Sequence, residues 1–315
     1  MNAFERFVFL LQREIETPAC YGAYHLFCLT AVIALTVFLC LRFRDAEERT
    51  VRRILLAAWL CMVVAEGYKQ LVFSMGVTDG IAEWGYTWYA FPYQFCSTPI
   101  YILPFAIFGN GRVKEAALAY MMTFSLFGGL AVMVYPGDVF IHLLGVDVQT
   151  MLHHGLQVVL GIYLAVHRRR TLGSRHFFTA VPFFLAAVAL ALILDVAVYH
   201  ALAAGGGEVP TFNMFFISPY FDCTLPLVGL VYAVMPYPVF LLVYLFGFTL
   251  AAAIVYLAIL GIPRTVCYTT LAWLRCTIRE PGFAGILEPE FSKRCQGWYP
   301  LRAGAGLVRL ERNGL

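Results

Sequence analysis

Charge is scarce in this sequence. Only 13% of the 315 residues are charged, 61% are hydrophobic, and the mean hydropathy is +0.76. Soluble domains carry about 25% charged residues, so a water-soluble globule is excluded. Repeated apolar runs near the ~20 residues that cross a bilayer point to a polytopic membrane protein. Basic stripes with interleaved aromatics are missing, which argues against a nucleic-acid partner. The formal charge is only +3. The nine cysteines stand singly, at 20, 28, 40, 61, 96, 223, 267, 276 and 295. With no CxxC pair and no Cys/His ligand spacing, neither a metal site nor a disulfide framework is expected. The N-terminus has acidic residues and a short apolar run but no basic region and no small-residue cleavage site, so it does not read as a signal peptide. There are no internal repeats and no low-complexity tracts.

What is present is a series of hydrophobic segments. Residues 1–20 read as an amphipathic lead, 21–261 as a transmembrane bundle and 262–315 as a cytoplasmic juxtamembrane tail. Within the bundle, spans are expected at about 21–41, 54–73, 91–108, 116–135, 148–166, 177–202 and 239–260. Open-ended spans must be helical, because lipid offers backbone groups no partners, so the fold class is an all-α polytopic bundle of about seven transmembrane helices. The odd loops hold Arg42, Arg44, Arg49, Arg52 and Arg53, then Arg112 and Lys114, then Arg168, Arg169, Arg170 and Arg175. The even loops hold no Lys or Arg. By the positive-inside rule the N-terminus lies outside and the C-terminus in the cytoplasm. The expected location is the cell membrane. The Pro-rich segment 205–238 is too broken for a plain helix and reads as an outer or re-entrant piece packed on protein. The early tail, with aromatics among arginines, reads as lying along the membrane surface.

Polar groups inside such spans mark candidate sites. The stretch 91–104, FPYQFCSTPIYILP, carries Cys96 with Gln94 and three prolines. If Pro92 sits in the first helical turn, Cys96 lies about one turn further in, where the positive end of the helix favours a thiolate. A buried structural cysteine beside a proline kink is the plainer reading. His153 and His154 are expected to open the fifth helix. Thr150, His154, Gln157 and Gly161 form one polar, small-residue stripe, which makes His154 the pocket residue and His153 its support. The plainer alternative is interfacial histidines bound to water or headgroups. Glu66 and Lys69, three apart, share a helix face as an ion pair or a headgroup site. Asp195 is expected to orient a histidine or to accept from a neighbouring helix. Asn213 and Ser218 are candidate donors to an oxyanion, or caps of turns in their loop. No cofactor is expected. A bis-histidine haem would need another placed histidine, such as His25 or His200.

These residues also resemble a known family. The chain is similar to the YwaF-like integral membrane proteins through Glu66-Gly-Tyr-Lys69, Phe91-Pro-Tyr-Gln-Phe-Cys96-Ser, His153-His154, and Asn213-Met-Phe-Phe followed by Ser218-Pro219. The motifs cover most of 20–260. Members of that family often have Asn-Tyr where this chain has Asn213-Met214. A vertebrate transmembrane acyltransferase that remodels ether phospholipids is similar to that family, and the androgen-induced-gene lipid hydrolases, which use a threonine and a histidine, are similar in plan. The resemblance implies a membrane bundle with Cys96 and His153 or His154 as a catalytic pair. It implies coenzyme A-independent acyl transfer between membrane phospholipids through a cysteine thioester. Two alternatives stand beside it: a lipid ester hydrolase, or a transporter or sensor with a polar intramembrane site around Glu66 and Asp195.

Overall fold

The computed structural model describes residues 2–78 and 81–277. It is a bundle of helices. Helix α1 (Ala3–Leu11) begins with Asn2 and Glu5 capping each other's backbone amides, a reciprocal box that satisfies the first free N–H groups. It lies across the end of the bundle where α3 (Glu48–Val72) finishes and α7 (Leu144–His167) starts. Tyr68 Oη donates to Leu11 O at 2.6 Å, and Leu144 N donates to Arg13 O at 3.1 Å. Between α1 and α3 runs α2 (Ala23–Phe43), a long apolar helix packed on α7.

A two-stranded hairpin follows α3, with β1 (Met75–Thr78) antiparallel to β2 (Ile81–Trp84). It is a small departure from the all-α expectation. The third span departs more. The α-helix there, α4 (Thr98–Phe108), has only 11 residues and is preceded by a one-turn 3-10 helix, Phe95–Ser97. Phe91, before Pro92, is extended, as a residue before proline must be. Pro99, not Pro92, occupies the first helical turn, where a missing N–H costs nothing. Cys96 therefore precedes the α-helix instead of lying a turn inside it.

The next span is α5 (Gly111–Tyr120), a π-helical turn at Met121–Ser125 and α6 (Leu126–Val134), together 24 residues and 72% buried over the apolar window. With α7 it forms the centre of the bundle. Helix α8 (Ser174–Ala203), the short α9 (Val228–Val234) and α10 (Tyr237–Thr277) complete the set. Five helices among the described residues are long and apolar enough to cross a membrane. Of the other two expected spans, α7 is long but more polar and mostly buried, and α4 is too short to cross alone. Helix α10 runs on to Thr277, so residues 262–277 of the expected tail are helical; residues 278–315 lie outside the described residues.

Lipid tails are as apolar as leucine, so helices in a bilayer gain contact mainly by close approach at small residues. Three glycines of the centre show this. A Cβ on Gly129 would lie 2.8 Å from both Gln157 Cβ and His154 O; one on Gly161, 2.9 Å from Met121 O; one on Gly155, 2.6 Å from Val32. The first two seat α7 against α6 and the π turn, and the third seats α2 on α7. Gly129→Leu is expected to lower stability by about 1–3 kcal/mol, as overpacking does, seen as a fall in Tm in detergent. Gly247→Leu, where nothing lies within 4 Å, should leave Tm unchanged.

Candidate functional site

The site is built around a carbonyl. Because the α-helix begins only at Thr98, the peptide group of Cys96 is not part of a continuous ladder. Its carbonyl takes two hydrogen bonds from α7: His153 Nε2 donates at 3.0 Å and Gln157 Nε2 at 2.9 Å. The two donors are four residues apart, one turn on one face. A carbonyl only accepts, so His153 carries its proton on Nε2 and keeps a lone pair on Nδ1. His154 is the opposite tautomer. Its Nδ1 donates to Thr150 O at 2.7 Å, which leaves Nε2 as the basic nitrogen. Both rings are buried, with centroids 5.8 Å apart.

The histidines do not open their helix. Helix α7 starts at Leu144, so His153 lies nine residues in, about 14 Å down the axis at 1.5 Å per residue. The helix-dipole effect expected for them is confined to the first turn, where Asp147 sits instead, accepting from Ile141 N. The expected placement of Cys96 and the histidines at one end of the bundle is corrected in the same way: they meet well inside it. The side chain that reaches Cys96 is His153, through the backbone, while His154 lies beside it.

A side chain at Gly128 on α6 is excluded by the Phe95 ring: a Cβ there would sit 2.9 Å from the ring and in ordinary contact, 3.7 Å, with the Cys96 sulfur. Phe95 packs edge-on against Phe184, Phe215 and Phe248. Thr98 Oγ1 donates to Phe95 O and accepts from Tyr120 Oη, each at 2.7 Å.

Glu66 and Lys69 form their ion pair at 2.8 Å, with both side chains largely buried. The carboxylate also accepts from Gln70 Nε2 at 2.8 Å and Gln149 Nε2 at 3.3 Å. Gln70 in turn accepts from Tyr86 Oη at 2.7 Å and donates to Ala90 O. Burial, with the Glu66 carboxylate near, pushes Tyr86 up to about 12, so its hydroxyl remains a donor at neutral pH. Lys69 acts electrostatically on Cys96, His153 and His154. Gln149, His153 and Gln157 thus form one row along α7, linking the ion pair to Cys96. The expected stripe shares only Gln157 with that row. Gln70, Tyr86 and Gln149 were not singled out from sequence; the four-residue spacing of Gln149, His153 and Gln157 is the signal that would have found Gln149, and no such spacing marks Gln70 or Tyr86.

Gln94, Asp195, Asn213 and Ser218 come together in a second cluster, which fixes a turn. Phe215 and Phe216 both have positive φ, 57° and 59°, a left-handed conformation costing roughly 1–2 kcal/mol for each non-glycine residue. Four contacts hold it. Asp195 Oδ1 accepts from Met214 N at 2.7 Å, and Gln94 accepts from Phe215 N at 2.8 Å while donating to Asn213 O at 2.9 Å. Asn213 Oδ1 accepts from Ser218 N at 2.9 Å. Asp195 therefore orients a backbone amide, not a histidine. Asn213 spends its side chain on its own loop, with Nδ2 on Asp222 O, and Ser218 Oγ accepts from Tyr220 N. The turn-capping alternative describes both better than oxyanion donation.

His25, once considered as an axial ligand, is committed: Nε2 donates to Met133 O and Nδ1 accepts from Tyr21 N, both at 2.9 Å. No cluster of three or more potential metal ligands exists among the described residues. An apolar cleft of about 690 Å³ lies between α1, α3 and α7, lined by Leu10, Val64, Val148 and Leu152, with Arg13 and Gln149 among its polar groups.

The TMEM164 family model matches residues 20–259. The chain belongs to the TMEM164 family. No curated protein and no solved structure matches it. The family match begins just before α2 and ends within α10, so it spans every residue of both polar clusters. In this TMEM164 family chain the turn at 213–218 is tied to the Cys96 segment chiefly by one side chain. Gln94→Ala would leave Asn213 O and Phe215 N unpaired in an apolar setting. A loss of about 1–3 kcal/mol for each orphaned group is expected, read as a lower Tm and as faster proteolysis within 205–226 in detergent.

Proposed function

We propose that this chain is a membrane-embedded phospholipid acyltransferase that works without coenzyme A, with Cys96 as nucleophile. The observation that carries the reading is the anchoring of the Cys96 carbonyl by His153 and Gln157. It distinguishes Cys96 from the other five described cysteines and supports a place for it beside a buried imidazole pair. Support also comes from the resemblance of the Cys96 and histidine motifs to a lipid acyltransferase.

Each buried imidazole keeps one lone pair, His153 on Nδ1 and His154 on Nε2. On this reading His154 Nε2 takes the proton of the Cys96 thiol. The sulfur attacks the ester carbonyl of a phospholipid, forming a C–S bond and an oxyanion. Collapse breaks the C–O bond, and the leaving alkoxide takes the proton from the imidazolium, giving a lysophospholipid and an acyl-Cys96 thioester. The hydroxyl of an acceptor lysophospholipid then loses its proton to the same nitrogen and attacks the thioester, and the thiolate leaves and is reprotonated. His153 acts through the backbone, holding Cys96 in place. Lys69, neutralised in part by Glu66, offers positive potential to the thiolate. The depth of the site argues for lipid substrates on both sides of the exchange. A site about 14 Å along α7, walled by phenylalanines, is hostile to a charged nucleotide thioester. The apolar cleft between α1, α3 and α7 abuts Gln149, one turn before His153, and suits an acyl chain.

Purified protein reconstituted in phosphatidylcholine vesicles with a lysophospholipid should exchange acyl chains. Cys96→Ala should lower the rate at least ~10³-fold and His154→Ala by about 10²–10⁴-fold, with Cys40→Ala unaffected. Unchanged exchange in Cys96→Ala would refute the assignment.

A further inference from the structure

Several polar atoms buried around Cys96 have no partner among the described residues: His153 Nδ1, Gln157 Oε1, Ser125 Oγ and Tyr244 Oη. An unpaired buried polar group is costly and rare, more so where lipid replaces water. His153 and Gln157 already serve Cys96 through their other ends. Ser125 and Tyr244 have no such role, and both are hydroxyl donors.

Tyr244 lies on α10 and is 1% exposed. Its ring stacks on Phe248 at 4.2 Å, and Phe248 packs edge-on to Phe95 at 5.1 Å, the residue before Cys96. The phenol is within electrostatic reach of Cys96 itself. Tyr120 and Tyr93, also buried near Cys96, have their hydroxyls committed to Thr98 and to Ala187 O; that of Tyr244 has no partner among the described residues. Ser125 ends the π turn and precedes Gly128 and Gly129 by three and four residues, so it shares their face. That face is the one touching Phe95, Cys96 and Gln157. In the same turn Thr123 bonds back to Ala119 O at 2.8 Å, whereas the Ser125 hydroxyl remains unspent.

We propose that the Tyr244 hydroxyl, with Ser125 Oγ as a second donor, stabilises the oxyanion that forms when Cys96 attacks an ester carbonyl. Tyr244 is then a catalytic residue. The inference rests on the acyl-transfer reading and adds the group that reading leaves out. Sulfur attack moves the carbonyl π pair onto oxygen, and two neutral donors buried in the water-poor interior receive that charge and release it on collapse. The π turn has a use on this account. Such bulges recur at functional sites, and the serine that ends this one is not back-bonded.

The test compares wild type, Tyr244→Phe, Ser125→Ala and Cys96→Ala in phosphatidylcholine vesicles containing lysophosphatidylethanolamine. Acyl exchange is read with inhibition by a long-chain trifluoromethyl ketone, which a thiolate converts to a tetrahedral adduct. Tyr244→Phe should lower kcat about 100-fold with KM unchanged, and weaken the ketone at least tenfold. Its Tm should not fall, because the atom removed is unpaired. Ser125→Ala should lower kcat less, in the same pattern. Wild-type rates in Tyr244→Phe would overturn the proposal, as would equal losses in ester and ketone binding or a lowered Tm, which mark a structural role. If wild type shows no exchange, or Cys96→Ala retains it, the acyl-transfer reading itself fails and takes this inference with it.

Discussion

A carbonyl that leaves a helical ladder inside a bilayer has no water to bind. The Cys96 carbonyl is in that position because the chain at 91–97 forms only a single 3-10 turn and the α-helix starts at Thr98, with Pro99 offering no N–H. Its partners must come from another helix, and α7 supplies them from His153 and Gln157, one turn apart. Much of the centre depends on keeping that distance. Gly129 and Gly161 let α7 approach α6 and the π turn, Gly155 admits α2 behind it, and Gly128 leaves room for Phe95 and the cysteine. The polar groups of α7 are tolerable in lipid because they are spent on neighbours, and the neighbours sit close because the facing residues are small.

Around this centre, two clusters constrain the Cys96 segment from opposite sides. The ion pair of Glu66 and Lys69, with Gln70, Gln149 and Tyr86, ties α3 to α7 and to the chain at Ala90. Gln94 ties the same segment to a strained turn at Phe215 and Phe216, whose cost is offset by Asp195 and Asn213. Cys96 lies between the two anchors. A nucleophile needs this kind of over-determined position, since misplacement by an ångström costs catalysis heavily. Strain held near a reactive group is consistent with such a role.

The helices were legible in the sequence because burial in lipid writes itself as long apolar runs. The segments around α2, α3, α8 and α10 were placed within a few residues at most ends. The third span was misjudged because its apolar content is that of a helix, while the proline geometry, with Phe91 extended and Pro99 at the helix start, decides where the helix begins. The histidines were placed too near a helix start because Asp147, Gln149 and Thr150 together resemble an N-terminal turn, whereas only Asp147 lies in the first turn of α7 and Gln149 and Thr150 lie beyond it. The grouping of Gln94 with Asn213 was not legible, since 119 residues separate the partners. Tyr244 carried no signal at all: in an apolar run it looks like any aromatic, and only its lack of a partner among the described residues distinguishes it. The short hairpin at 75–84 did carry one, the Asp79-Gly80 dipeptide favoured between paired strands.

Whether Cys96 carries the acyl group is read by peptide mass spectrometry of the purified protein after brief exposure to phospholipid vesicles without acceptor, with and without hydroxylamine. The account predicts an acyl group on the peptide containing Cys96, removed by hydroxylamine as thioesters are, and none on the peptides carrying the other eight cysteines. Acyl exchange proceeding while Cys96 stays unmodified under trapping conditions, or acylation of a different residue, would contradict it.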